Sequence, residues 1–252
     1  MNQVYALCTG GKTTPRSQFL FRDPSQAPLQ MAFYFWLVIA GGEPVAVDCS
    51  IGPDEGRRRS VEGYRDRREL LAACGVKPED VRRVFMTHLH YDHWEGHDLF
   101  RNATYFVQEK EIAFWKGPGL AYPMFANSAS ASALARVDPL MAEGRIKLVD
   151  GDWSPGPGLR AHLLPGHTPG LQALEVDCGK RRVLIASDTF HFYDDLALRK
   201  PVQVTVSMLD AARSMDRVAA LSSGEDAVAL PGHDPLVMQR FPNVAPGVAR
   251  VA

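Results

Sequence analysis

Thr87-His88-Leu89-His90-Tyr91-Asp92-His93 packs three imidazoles and a carboxylate into the six residues that follow Thr87. In an extended chain, side chains two apart face the same side, so His88, His90 and Asp92 converge. His93 breaks that alternation, which requires the backbone to turn there. The apolar residues 84–86 read as a buried strand running into the cluster, which places the cluster on the loop leaving the strand end. Such a set is costly in an apolar core, because each polar group needs a partner. A divalent cation supplies that partner to all of them at once. Imidazole nitrogen and carboxylate oxygen are also the donors that zinc takes at a catalytic centre.

Three further candidates each follow an expected strand. His167 lies in Pro165-Gly166-His167-Thr168-Pro169-Gly170, after a strand over 159–164. Asp188 lies in Ala186-Ser187-Asp188-Thr189, after a strand over 182–186. His233 lies in Leu230-Pro231-Gly232-His233-Asp234-Pro235, after a strand over 228–230. Strand ends that deliver donors to one edge make a site on rigid scaffold. The remaining pattern predicts a strand over 4–8 and a hairpin of 33–39 with 45–48 around Gly41-Gly42-Glu43-Pro44. Further strands are expected at 104–107, 146–149 and 171–176, with helices over 61–74, 109–115 and 206–221. Residues 117–135, rich in Gly, Ala, Ser and aromatics, give no clear assignment. Strands and helices recur in both halves, so an α/β fold with sheets covered by helices is expected.

The order H-x-H-x-D-H, G-H-T, S-D and G-H-D resembles the metallo-β-lactamase superfamily, and within it the N-acyl homoserine lactonase-like branch. The likeness runs from Val4-Tyr5-Ala6-Leu7 to Leu230-Pro231-Gly232-His233-Asp234-Pro235. It implies a four-layer αββα metallo-β-lactamase sandwich, with residues 1–252 forming one such domain. It also implies two divalent metal ions. His88, His90 and His167 would hold one, Asp92, His93 and His233 the other, and Asp188 would bridge them. Histidine at position 90, where oxygen-reducing di-iron relatives carry glutamate, favours zinc or a similar hydrolytic metal. Asp48 matches a family aspartate that orients the ligating imidazoles from behind. The implied reaction is hydrolysis of a lactone by a hydroxide shared between the metals, with Asp92 relaying a proton. Lactonases of this branch carry a tyrosine three residues after the bridging aspartate. Here that position is His191, followed by Phe192 and Tyr193, so either His191 or Tyr193 takes over the catalytic donor role, or the substrate differs.

Composition narrows the partners. Among 252 residues, 28 are basic and 29 acidic, a formal net charge of −1, so no global field attracts nucleic acid or an anionic membrane. A small-molecule lactone or ester substrate is expected, and a homodimer is one assembly the apolar segments allow. Cys8, Cys49, Cys74 and Cys178 lack C-x-x-C spacing and read as ordinary reduced thiols. No secretory pattern opens the chain, and the apolar run 31–40 is too short to span a bilayer, so a cytoplasmic location is the default expectation.

Other residues draw plainer readings. His97 and His162 are expected in packing or surface roles. The arginines at 57–59 and 65–68, interleaved with acids, read as a solvated face. Phe19, Phe21, Leu29, Met31 and Phe33, with Tyr122-Pro123-Met124-Phe125, either wall a substrate pocket or build core and interface. Trp94 is read as narrowing the entrance. Rival functions on the same motif are a glyoxalase-II-like thioesterase or other ester hydrolase, a mononuclear iron persulfide dioxygenase, and a non-enzymatic metal-binding scaffold. The C-terminal residues 241–252 offer only Arg250 for a glutathione thioester, which sets the first rival back.

Overall fold

A computed structural model describes residues 1–252. Its thirteen strands form two mixed sheets flanked by helices. The eight-stranded sheet is built from β1 (Gln3–Pro15), β2 (Pro28–Ala40), β3 (Glu43–Val47), β4 (Arg83–Phe85), β5 (Thr104–Gln108), β6 (Ile146–Val149) and two C-terminal strands. The five-stranded sheet contains β7 (Trp153–Gly156), β8 (Leu159–Leu163), β9 (Gln172–Asp177), β10 (Arg182–Ser187) and β11 (Ala227–Pro231). The chain then returns to the first sheet as β12 (Asn243–Ala245) and β13 (Val248–Arg250), with β13 pairing antiparallel to β1. No helix is long and apolar enough to cross a membrane.

Side-chain alternation along the strands explains the layering. On β2, Tyr34, Trp36 and Val38 face the second sheet and meet Leu174, Val176, Val183 and Ile185. Phe35 and Leu37, between them, face the outer helices with Trp94, Ile112 and Leu134. On β10, Val183 and Ile185 point into the inter-sheet core, while Leu184 and Ala186 pack on Met215 and Val218 of the helix Met208–Leu221. Helix, sheet, sheet, helix is thus the order of layers, as expected.

The central strands stop at the same edge. β3, β4 and β5 run parallel, as do β10 and β11, so their C-terminal ends open together. Two of these ends turn through a left-handed residue, Asp48 (φ 64°) after β3 and Ser187 (φ 48°) closing β10. A non-glycine residue there costs about 1–2 kcal/mol, and the turns re-aim the chain sharply at the edge.

Several expectations need correction. The helix over 61–74 is only Arg67–Ala73. Glu62 pairs with Gly11 through two backbone hydrogen bonds, and Ser60 and Gly63 take positive φ, which stops a helix from starting earlier. Arg67 is buried and donates to the Cys49 carbonyl at 3.0 Å, so it does not share the solvated face of its neighbours. Trp94 is buried in the outer core and donates its indole N–H to the Ala133 carbonyl, so it packs rather than narrows an entrance. Residues 117–135 hold three short helices, Pro118–Ala121, Pro123–Ala126 and Ala131–Leu134. β7, β12 and β13 lie outside the strands that the sequence pattern marks.

Gly166 shows how tightly the edge is packed. Its φ is 143°, and a Cβ there would strike the backbone of Ala211. Its carbonyl also accepts the N–H of Val206 and of Ser207, at 2.9 Å each, which seats the start of the helix Met208–Leu221. Gly166→Ala should lower the free energy of unfolding by about 1–3 kcal/mol, the range for overpacking a closed site. Urea denaturation would measure this, and a change under 0.5 kcal/mol would count against the packing argument.

Candidate metal centre

Each expected donor stands at a strand end on that edge. His88, His90, Asp92 and His93 follow β4, and His93 and Asp92 belong to the short helix Tyr91–Trp94 that makes the foreseen turn. His167 follows β8, Asp188 follows β10 and His233 follows β11. All seven side chains are buried. Their donor atoms gather in two main groups, His88–His90–His167–Asp188 and Asp92–His93–His233. The first eight-stranded sheet and the second sheet therefore contribute to one site.

The distances centre on Asp188. Its Oδ2 lies 3.2 Å from His233 Nε2, 3.3 Å from His167 Nε2, 3.5 Å from His93 Nε2 and 3.8 Å from His88 Nε2. His167 Nε2 faces His90 Nδ1 at 2.9 Å. Asp92 lies 3.5 Å from His233 and 3.9 Å from His93. His88 Nε2, His93 Nε2 and Asp188 Oδ1 are buried without any hydrogen-bond partner. Orphaned atoms of this kind are rare in folded proteins, and here they all face inward. The donor set and the orphaned atoms fit a pair of divalent cations.

The outward nitrogens are held. His93 Nδ1 donates to Asp48 Oδ2 at 2.8 Å, and His233 Nδ1 donates to the Ala32 carbonyl at 2.9 Å. His167 Nδ1 donates to the Val204 carbonyl. Thr87 gives its hydroxyl proton to Asp48 at 2.7 Å and so accepts from His88 Nδ1 at 3.1 Å. In each case the proton is kept on the outer nitrogen, leaving the Nε2 lone pair aimed at the cluster.

Burial holds His88 and His90 well below the usual imidazole range, and neighbouring imidazoles push them further down. Both are therefore neutral, the form that binds metal. Burial alone would raise Asp188, yet His233, His93 and His191 carry it well below the carboxylate range. His93 is lowered by burial but raised more by Asp188, Asp48 and Asp92, so it ends well above its usual value, and a cation taking its Nε2 would displace the proton held there.

Of the other candidates, His191 joins the cluster and Tyr193 does not. His191 Nε2 lies 3.3 Å from Asp188 Oδ2, and its ring sits 4.8 Å from that of His233. Neither ring nitrogen has a hydrogen-bond partner, and burial lowers its pKa to about 4. Tyr193 instead packs near Phe190 with the Arg240 guanidinium 3.7 Å over its ring. Gly232 is required by closeness, since a Cβ there would strike Asp188 Oδ1. His97 stacks on Trp94 at 4.6 Å, and His162 pairs with Glu175 at 2.7 Å, both away from the cluster.

A pocket opens beside His90 and His167. It has a volume of about 150 Å³ and is walled by Trp115, Met124, Phe125 and Val206. Phe19 lies 6.0 Å from His191, and Phe33 lies 5.7 Å from His233. Of the segments read as pocket wall or core, Met124 and Phe125 line the pocket, whereas Met31 and Phe33 form core with Phe19 and Leu29 packed against them. Glu111, unremarked in the sequence, is buried and accepts the N–H of Leu89 and of Gly170. Its position in a helix of ordinary amphipathic spacing carried no signal for that.

Residues 34–233 match the model of the metallo-β-lactamase superfamily. The chain is 27% identical over 166 residues to an N-acyl homoserine lactonase of a Bacillus species, covering 66% of this chain and 60% of the relative. It is 28% identical over 190 residues to the N-acyl homoserine lactonase AttM of Agrobacterium fabrum, covering 69% and 65%. The matches thus span about three fifths of those relatives' length. Among solved structures, it resembles an N-acyl homoserine lactone hydrolase with N-hexanoyl-L-homoserine at its catalytic metal centre. That likeness has a TM-score of 0.78 at 20% identity and covers 95% of this chain and 96% of the other. AidC, a dizinc quorum-quenching lactonase, aligns with a TM-score of 0.75 at 18% identity over 93% and 88%. At such identities the structures speak for the fold.

Asp48→Asn keeps the shape but removes the charge that holds His93 and, through Thr87, His88. Metal affinity should fall about 10–100-fold with the fold retained. Competition with a chromophoric chelator, alongside circular dichroism, would show this, and undiminished affinity would dismiss the supporting role of Asp48.

Proposed function

The chain belongs to the metallo-β-lactamase superfamily, and from that premise we propose that it is a metal-dependent hydrolase that opens a lactone ring, that of an N-acyl homoserine lactone or a related compound. The observation that carries the reading is the convergence of His88, His90, Asp92, His93, His167, Asp188 and His233 beside an apolar pocket. Its 150 Å³ is close to that of a cavity able to hold benzene, so it suits a short acyl chain or compact ring rather than a polymer. The lactonase names of the relatives support the substrate class.

His88, His90 and His167 would hold one ion and Asp92, His93 and His233 the other, with Asp188 shared. Zinc is the proposed metal, since imidazole-rich sites with carboxylate suit it. Bound there, a pair of divalent cations supplies Lewis acidity and makes water nucleophilic near neutral pH.

The chain's own groups do the rest. Asp48 and the carbonyls of Val204 and Ala32 keep the imidazoles oriented, so little reorganisation is needed during reaction. Asp92 takes the proton released as water attacks the ester carbon and returns it to the leaving ring oxygen. His191, neutral and unpartnered, donates a ring N–H to the carbonyl oxygen as negative charge develops on it. Tyr193 was the other candidate, and its packing under Arg240 favours His191 for the task. Trp115, Met124 and Phe125 exclude water around the acyl group.

A panel of lactones, thioesters and simple esters, assayed with metal-quantified protein, tests the reading. Lactones should be turned over, chelation should abolish the activity, and Asp92→Asn should lower kcat by at least about 100-fold, the scale of a lost proton relay. His191→Ala should lower kcat more than Tyr193→Phe does. No turnover of any lactone, alongside rapid turnover of another class, would overturn the assignment.

A further inference from the structure

Glu111 is a carboxylate with no exposed surface, set in the helix Glu109–Trp115. Burying a carboxylate is unfavourable unless donors satisfy it, and no Lys, Arg or His pairs with this one. Its donors are three N–H groups. Oε1 accepts from the Leu89 backbone at 2.9 Å and from Trp115 Nε1 at 2.7 Å, and Oε2 accepts from the Gly170 backbone at 3.1 Å.

The identity of those donors matters. Leu89 lies between His88 and His90, and Gly170 closes the turn that carries His167. One carboxylate therefore ties together the two loops whose imidazoles face each other at 2.9 Å. Trp115, held by the same oxygen as Leu89, sets its ring 5.6 Å from that of His90 and lines the apolar pocket. The loops are drawn close, since a Cβ on Gly170 would strike the Glu111 backbone. A leucine would serve packing alone. A carboxylate accepting from both loops fixes their separation, because charge-assisted hydrogen bonds are short and directional.

We propose that Glu111 is a positioning residue that sets the spacing of the His88–His90 and His167 loops, and with it the affinity of that half of the metal centre, separately from the Asp92–His93–His233 half. The proposal rests on the binuclear metal reading. Glu111→Gln nearly conserves volume, but its amide must turn an N–H toward Leu89 or Gly170, so one loop loses its anchor.

The test is titration of metal-free protein with zinc against a chromophoric chelator, with native mass spectrometry counting bound ions. The natural protein should take two. In Glu111→Gln, one affinity should fall about 10–100-fold while the other stays within about threefold, so a one-metal species accumulates. Adding Glu111→Gln to a His233→Ala background should weaken the remaining ion, and adding it to His167→Ala should not. Equal loss at both positions, or no loss at either, overturns the proposal. Glu111→Asp, which keeps the charge but shortens the reach, should show the same split if the Gln variant does not fold. Failure of both to fold also overturns it, because a residue needed for folding is not merely positioning the loops. Should the natural protein bind no metal at all, the functional reading fails first, and that result is distinct from any of these.

Discussion

Five imidazole nitrogens stand between 3.2 and 3.8 Å from a single oxygen of Asp188, all of them buried. Much of the rest of the fold serves this crowding. Groups of this kind repel one another when charged and lose water when buried, so they gather only where the backbone leaves them no choice. The two sheets supply that constraint by ending their parallel strands together. The left-handed residues Asp48 and Ser187 and the close approach of Gly232 are local concessions made at the same edge.

The outer hydrogen bonds complete the arrangement. Main-chain carbonyls hold His167 and His233, whereas a carboxylate and a hydroxyl hold His93 and His88. The former depend on strand and loop geometry alone, so no side-chain substitution removes them directly. The latter depend on the chemistry of Asp48 and Thr87. Tolerance to mutation around the site should therefore be uneven, high beside the carbonyls and low at those two positions.

Much of this was legible in the amino-acid order, for a physical reason. Metal donors are named by residue type, and the strand before each one is marked by its apolar run, so His88, His167, Asp188 and His233 could be placed without coordinates. Elements defined by backbone partners were not so placed. Residues 61–66 have helical spacing, but the bridge from Glu62 to Gly11 overrides it, and nothing in either segment announces the other. β12 and β13 are three residues each; β13 exists because β1 offers an edge to pair with, and β12 because β13 then offers the next one. Trp94 looked like an entrance residue from its place after His93, but its side chain follows the helix Tyr91–Trp94 into the outer core. Glu111 gave no signal because the two partners that tie it to the loops lie 22 and 59 residues away.

His88, His90, Asp92 and His93 leave one sheet, and His167, Asp188 and His233 leave the other. Ions held among them would act as rivets through the seam of the sandwich, adding to the apolar contacts and the few hydrogen bonds, such as Gln172 to the Thr87 carbonyl and Gly170 to Glu111, that already join the two halves. Occupancy and conformational stability then become a single linked equilibrium, in which free metal concentration adjusts how readily the layers part. The metal supply around the protein would thereby govern the stability of the folded chain as well as its chemistry.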